Sequence, residues 1–127
     1  MNILVVMADL FFSATIIDIA KKLGMTVQLL KDRETVLEQI KAKPFAVIFD
    51  LNYAAADPIG LIRQIGANPE TREIRTIGFV SHVQVELKSR AQKAGCEVVL
   101  PRSAFAQKLP ELLSAPTLSS KTARSIE

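Results

Sequence analysis

With 127 residues, 49% of them hydrophobic, the chain can bury one sizeable core without cross-links, and no apolar run is long enough to span a bilayer. The net charge of +3 comes from scattered bases, with 6% aromatic residues, which argues against specific nucleic-acid recognition. Cys96 is the only cysteine, so no internal disulfide forms and a reducing cytoplasm is the expected compartment.

Met1 leads directly into an apolar strand, Asn2 to Met7, with no basic segment before it, so no secretory signal is expected. A helix follows, with Ile16, Ile19, Ala20 and Leu23 on one face, Ser13 as its expected N-cap and Gly24 as its end. Thr26 to Leu30 is a partly polar strand suited to a sheet edge. The second helix, about Arg33 to Ala42, buries Val36, Leu37 and Ile40. Phe45 to Asp50 is a strand apolar up to its last residue, as expected where a parallel sheet is covered on both faces. Asp57-Pro58 opens a third helix, a cap followed by proline in the first turn, with Leu61, Ile62 and Ile65 inward. Thr76 to Val80 is the fourth strand, Val83 to Ala94 the fourth helix ending at Gly95, and Glu97 to Leu100 the fifth strand. A last helix begins at Ser103 and is expected to break or turn at Pro110, which removes a backbone donor and crowds the preceding turn. Residues 1–114 thus form one domain, and 115–127 read as a polar tail.

Alternating strands and helices with short links predict an α/β fold, a doubly wound parallel sheet of flavodoxin-like type with strand order 2-1-3-4-5. The switch point of that order lies between the first and third strands, beside Asp50. A carboxylate there is placed where such sheets put their chemistry. Ser81 follows the fourth strand and Arg102 the fifth, so both reach the same edge. Ser81 has a simpler role as N-cap of the fourth helix, and His82 reads as a partly exposed loop residue, although imidazole so placed could shield Asp50. A metal site from His82, Asp50 and Cys96 lacks ligand spacing, and Ser81-His82 lacks the third residue and nucleophile elbow of a hydrolase.

From Asn2 to about Leu113 the chain resembles a CheY-like receiver domain, the phosphoacceptor module of two-component phosphorelays. Asp50-Leu51-Asn52 matches the aspartate motif, Asp57 follows at the family's spacing, Ser81 matches the hydroxyl residue, and Arg102 stands at the family's lysine. The resemblance implies Asp50 as phosphoacceptor and magnesium held by two acids after the first strand, the acceptor aspartate and a backbone carbonyl, here that of Asn52. The departures are specific. Met7 and Ala8 occupy the two acid positions, and Asp9 is offset by one residue, which in a strand reverses side-chain direction. Val99 stands at the family's switch aromatic, and Arg102-Ser103 replaces its lysine-proline step. The resemblance is therefore to a divergent pseudo-receiver.

These readings predict a non-enzymatic, stand-alone interaction module with an impaired phosphoacceptor site, whose protein partner is a histidine kinase or a downstream effector. No cofactor is expected and magnesium binding is at most weak; were a metal held, Asp9, Asp50 and Asn52 would be its ligands. Asp50 and Arg102 are expected to form a standing ion pair that lowers the Asp50 pKa. No membrane contact is expected. The chain is a monomer, or a homodimer through an apolar seam of Val85, Val99 and Phe105. Two alternatives remain open: a functional phosphoacceptor on Asp50, and a flavodoxin-like small-ligand binder; Leu10-Phe11-Phe12 reads as an apolar lid over the site or, if exposed, as a partner-facing patch. The loop from Ala8 to Ser13 has no glycine with which to cradle a phosphate.

Overall fold

A computed structural model describes residues 1–114, so the expected tail at 115–127 lies outside the described residues. Five strands, β1 (Asn2–Val6), β2 (Thr26–Leu30), β3 (Ala46–Asp50), β4 (Arg75–Val80) and β5 (Val98–Pro101), form one parallel sheet in the order β2-β1-β3-β4-β5. The helices between and after them are α1 (Leu10–Lys22), α2 (Arg33–Gln39), α3 (Pro58–Ala67), α4 (Val85–Ala94) and α5 (Arg102–Ser114). This is the architecture expected from the alternating apolar runs, and the partly polar β2 is an edge strand. No described helix is long and apolar enough to cross a membrane.

The strand period sorts the core into two layers. Ile3, Val5 and Met7 share one face of the sheet with Ile48, Ile77 and Phe79, covered by Ile16 and Ala20 of α1 and by Phe105, Leu109 and Leu113 of α5. Leu4 and Val6 share the other with Val47, Phe49 and Val80, under Val36 of α2, Leu61, Ile62 and Ile65 of α3 and Ala91 of α4. Every residue of β3 and β4 is buried, which fixes their carboxyl ends firmly.

Several local expectations are corrected. Asp9, not Ser13, caps α1: its carboxylate accepts from the amides of Phe11 and Phe12 at 2.9 and 3.1 Å, so the helix starts three residues before the expected cap and Ser13 is buried within it. An acid at this position also favours the helix dipole. The second helical stretch is α2 plus a 3-10 turn at Ile40–Ala42. The fourth helix begins at Val85, with Gln84 as a cap residue whose side chain makes no capping bond. Pro110 does not break α5, which runs unbroken to Ser114. Burial of Leu109 and Leu113 on either side of the proline, worth roughly 1.5–3 kcal/mol each, offsets a helix-interior proline cost of about 3 kcal/mol. Val99 and Phe105 are core residues, so the expected seam is reduced to Val85.

Two glycines matter for the edge at which β3 ends. A Cβ at Gly78 in β4 would lie 2.8 Å from Leu51 Cδ1, so Gly78 makes the room in which the residue after Asp50 seats. A Cβ at Gly60 would lie 2.1 Å from an Asp57 carboxylate oxygen, and Gly60 thereby leaves space for Asp57 to cap α3. Asp57 itself is held left-handed at φ 50°, and its carboxylate accepts from the Gly60 amide at 3.2 Å.

Candidate functional site at the carboxyl edge of the sheet

Asp50 ends β3 between the carboxyl ends of β1 and β4, and 9% of its surface is exposed. The chain turns immediately: the Leu51 amide extends the ladder to the Phe79 carbonyl, and the Tyr53 amide donates to the Asp50 carbonyl. The Asn52 amide donates to Asp50 Oδ1 at 3.0 Å. The Asn52 side chain then reaches across to the loop after β4, where its Oδ1 accepts from both the amide and the hydroxyl of Ser81, at 2.9 and 3.0 Å. Ser81 therefore does not cap α4. It is held by Asn52, which ties the loop after β3 to the loop after β4.

Arg102, the first residue of α5, does not form the expected ion pair with Asp50. Its Nη1 lies 3.2 Å from Asp9 Oδ2, both side chains about one-third exposed. The expectation that Asp9 faces away from the site fails because Asp9 lies past the end of β1, where strand alternation no longer applies and the cap geometry turns the carboxylate back. The guanidinium carbon lies 4.7 Å from the Phe12 ring centroid and 5.7 Å from that of Phe79. Phe12 meets Phe79 edge-on at 5.1 Å, and Phe79 stacks on Phe105 at 4.9 Å, giving the cation a rigid aromatic floor. Phe79 was not anticipated from the sequence, and Phe12 was expected in a lid and not beneath Arg102. Their signal was an aromatic one turn inside α1 and another near the end of β4, with an arginine opening α5.

The electrostatics follow from this pairing. Burial raises the Asp50 pKa above the ordinary aspartate value; the Asn52 amide and Arg102 oppose the rise, and Asp9 adds to it. This reverses the expected lowering, because Arg102 acts on Asp50 only through space while its direct contact goes to Asp9. The Asp9 pKa is lowered, first by the Phe12 amide and then by the Phe11 amide and Arg102, with partial desolvation opposing.

The remaining candidates separate. Met7 is fully buried among apolar side chains and Ala8 is exposed, so neither offers an oxygen ligand from its side chain. His82 is exposed, with its Nδ1 3.3 Å from the Val83 carbonyl oxygen, and is not engaged with Asp50. Cys96 sits just before β5, at the opposite edge of the sheet; burial pushes its thiol up to about 11. Leu10 and Phe11 are 65% and 92% exposed and cover nothing, whereas Phe12 turns inward, so the expected lid is absent. Val83 and Val85 are 74% and 76% exposed beside a shallow cleft of about 380 Å³ lined by Val80, Gln84, Lys88 and Pro101.

The resemblance to receivers raises the question of a divalent ion, and the donors present do not suit one. Magnesium demands an octahedral set of oxygens. Here Asp9 Oδ1 caps α1, Asp9 Oδ2 meets a guanidinium, Asp50 Oδ1 accepts from the Asn52 amide, and the Asn52 carbonyl accepts from the Ala54 amide. Among the described residues no group of three or more His, Cys, Asp and Glu side chains could hold a metal.

Comparison with protein-family models finds no match, and comparison with curated proteins finds none either. Among solved structures, the fold is similar to a response regulator from Hahella chejuensis, with a TM-score of 0.79 at 15% identity over 89% of this chain and 92% of that one. A sensor protein from Polaromonas gives 0.77 at 20% identity, covering 94% and 97%. The receiver domain of a sensor histidine kinase from Pseudomonas aeruginosa, which carries magnesium in its active-site cleft, gives 0.72 at 18% identity, covering 90% and 98%. The chain has the CheY-like receiver fold.

Proposed function

We propose that the chain is a divergent receiver module of two-component signalling that acts mainly by binding a protein partner, with its phosphoacceptor site impaired and no catalytic turnover of its own. The carrying observation is the engagement of Arg102 by Asp9 at an edge whose acid positions hold buried Met7 and exposed Ala8. Moving a phosphoryl group onto Asp50 brings negative charge up to a carboxylate, and such transfers depend on cations that offset it. Arg102, the cation that acts on Asp50, is already partly neutralised by Asp9. Exposed Leu10, Phe11, Val83 and Val85 supply apolar area beside the same edge for a histidine kinase or a downstream effector, acting in a reducing cytoplasm.

A functional phosphoacceptor is the second reading. What favours it is Asp50 itself, at the switch point of the sheet with its carboxylate free of a direct ion pair among the described residues. The two readings part in one experiment: intact mass of the full chain after exposure to a small-molecule phosphodonor, with and without magnesium. The interaction-module reading expects little or no phosphoryl adduct under either condition. Rapid, magnesium-dependent addition mapped to Asp50 would overturn it in favour of the second.

A further inference from the structure

We infer that the guanidinium of Arg102 is the resident cation of the carboxyl-edge site, standing in for the divalent ion that a receiver fold can hold, so that charge balance comes from within the chain and divalent metals are shut out. The inference rests on reading the Asp50 edge as a receiver-type site and specifies how that site is regulated electrostatically.

Three observations converge. The cation is fixed on two sides, by Asp9 Oδ2 at 3.2 Å and by the Phe12 ring at 4.7 Å. A guanidinium is planar and weakly hydrated, which suits an aromatic floor, whereas a small divalent ion retains waters that such a floor cannot bond. Second, both carboxylate oxygens of Asp9 are already engaged. Asp9 spans the Phe11 and Phe12 amides and Arg102, so a metal recruiting it would have to displace a cation and compete with the cap of α1. Third, Asn52 anchors Ser81 directly, so the loops after β3 and β4 are joined by hydrogen bonds that need no ion.

The test is Mn²⁺ added to the ¹⁵N-labelled full chain, reading paramagnetic broadening of the Asn52 and Ser81 amides, together with the thermal midpoint in Mg²⁺. The unmodified protein should show no broadening centred on those amides at millimolar Mn²⁺, and no shift of its midpoint in millimolar Mg²⁺. Ala8→Asp adds a carboxylate at an exposed position, and combining it with Arg102→Met removes the charge while keeping an apolar stem over Phe12. The double variant should bind Mn²⁺ roughly tenfold or more tightly than Ala8→Asp alone, because the competing charge is gone. Arg102→Gln, which keeps a hydrogen-bond donor for Asp9, should likewise gain site-centred broadening over the unmodified protein; this holds the inference to account if the double variant does not fold. Site-centred Mn²⁺ binding by the unmodified protein would overturn it, as would Arg102 variants that gain none. Metal uptake without phosphorylation would sink this inference and leave the interaction module standing. Metal-free phosphorylation of Asp50 would do the reverse.

Discussion

Two arginine-carboxylate pairs close opposite ends of the sheet, and they are built differently. At the amino end Arg75 of β4 meets Glu97, just before β5, through Nε and Nη2 at 3.0 to 3.3 Å, with side chains 2% and 1% exposed. Arg75 Nη1 also donates to the Leu112 carbonyl of α5, and the Glu97 amide donates to Thr76 Oγ1 at 3.0 Å. At the carboxyl end Arg102 makes one contact to Asp9, both side chains about one-third exposed, and its buried Nε has no hydrogen-bond partner among the described residues. The amino-end pair is sealed and bonded on several sides. The carboxyl-end pair has spare bonding capacity and solvent access, which marks that end as the one available to other molecules.

The contrast predicts a ranking of substitutions. Glu97→Ala should be the most damaging, costing about 3–5 kcal/mol in denaturant unfolding, because it strands a buried guanidinium. A cost near that of an exposed pair would show the amino end to be less sealed than described. Asp9→Ala should cost distinctly less and should hurt more than Asp9→Asn, since asparagine retains the α1 cap and loses only the charge. Equal effects of the two would assign the role of Asp9 to its ion pair alone. Arg102→Met should cost about 1 kcal/mol or less, as for other partly exposed pairs; a loss as large as that of Glu97→Ala would erase the distinction between the ends.

The smallest effect is expected at Asp50, and it changes with pH. Because the folded-state pKa of Asp50 is raised, folding disfavours its ionised form. That cost is absent below the ordinary aspartate range and grows as pH rises through it to the raised value. Asp50→Asn should therefore raise the denaturation midpoint at neutral pH, with the gain fading in acid. Asp9 carries the opposite sign: its lowered pKa adds stability above the ordinary range that is lost as pH falls through the lowered one.

The strands and their order were legible because parallel strands buried on both faces leave apolar runs, and because Thr26 and Gln28 make β2 partly polar, as suits an edge strand. The same runs placed Asp50 at the correct edge. What pattern could not supply was the choice Arg102 makes between two carboxylates. That choice depends on where α1 begins, and the cap at Asp9 brings its oxygens to the guanidinium from outside the strand period. The continuity of α5 through Pro110 was hidden for a similar reason, being decided by packing of Leu109 and Leu113 against a sheet far away in sequence. Ser81 reads locally as a cap, and only the folded chain brings it to Asn52, 29 positions earlier.

Arg102 is paired with Asp9 and leaves Asp50 buried, with no direct ion pair among the described residues. A carboxyl-carbon NMR titration of the unmodified protein, with Asp9 and Asp50 assigned, reads this directly. The account predicts that Asp50 titrates above the ordinary aspartate value and Asp9 below it, and that Arg102→Met moves both upward. An Asp50 that titrates below the ordinary value, and rises more than Asp9 when Arg102 is removed, would return the arginine to Asp50 and contradict the account.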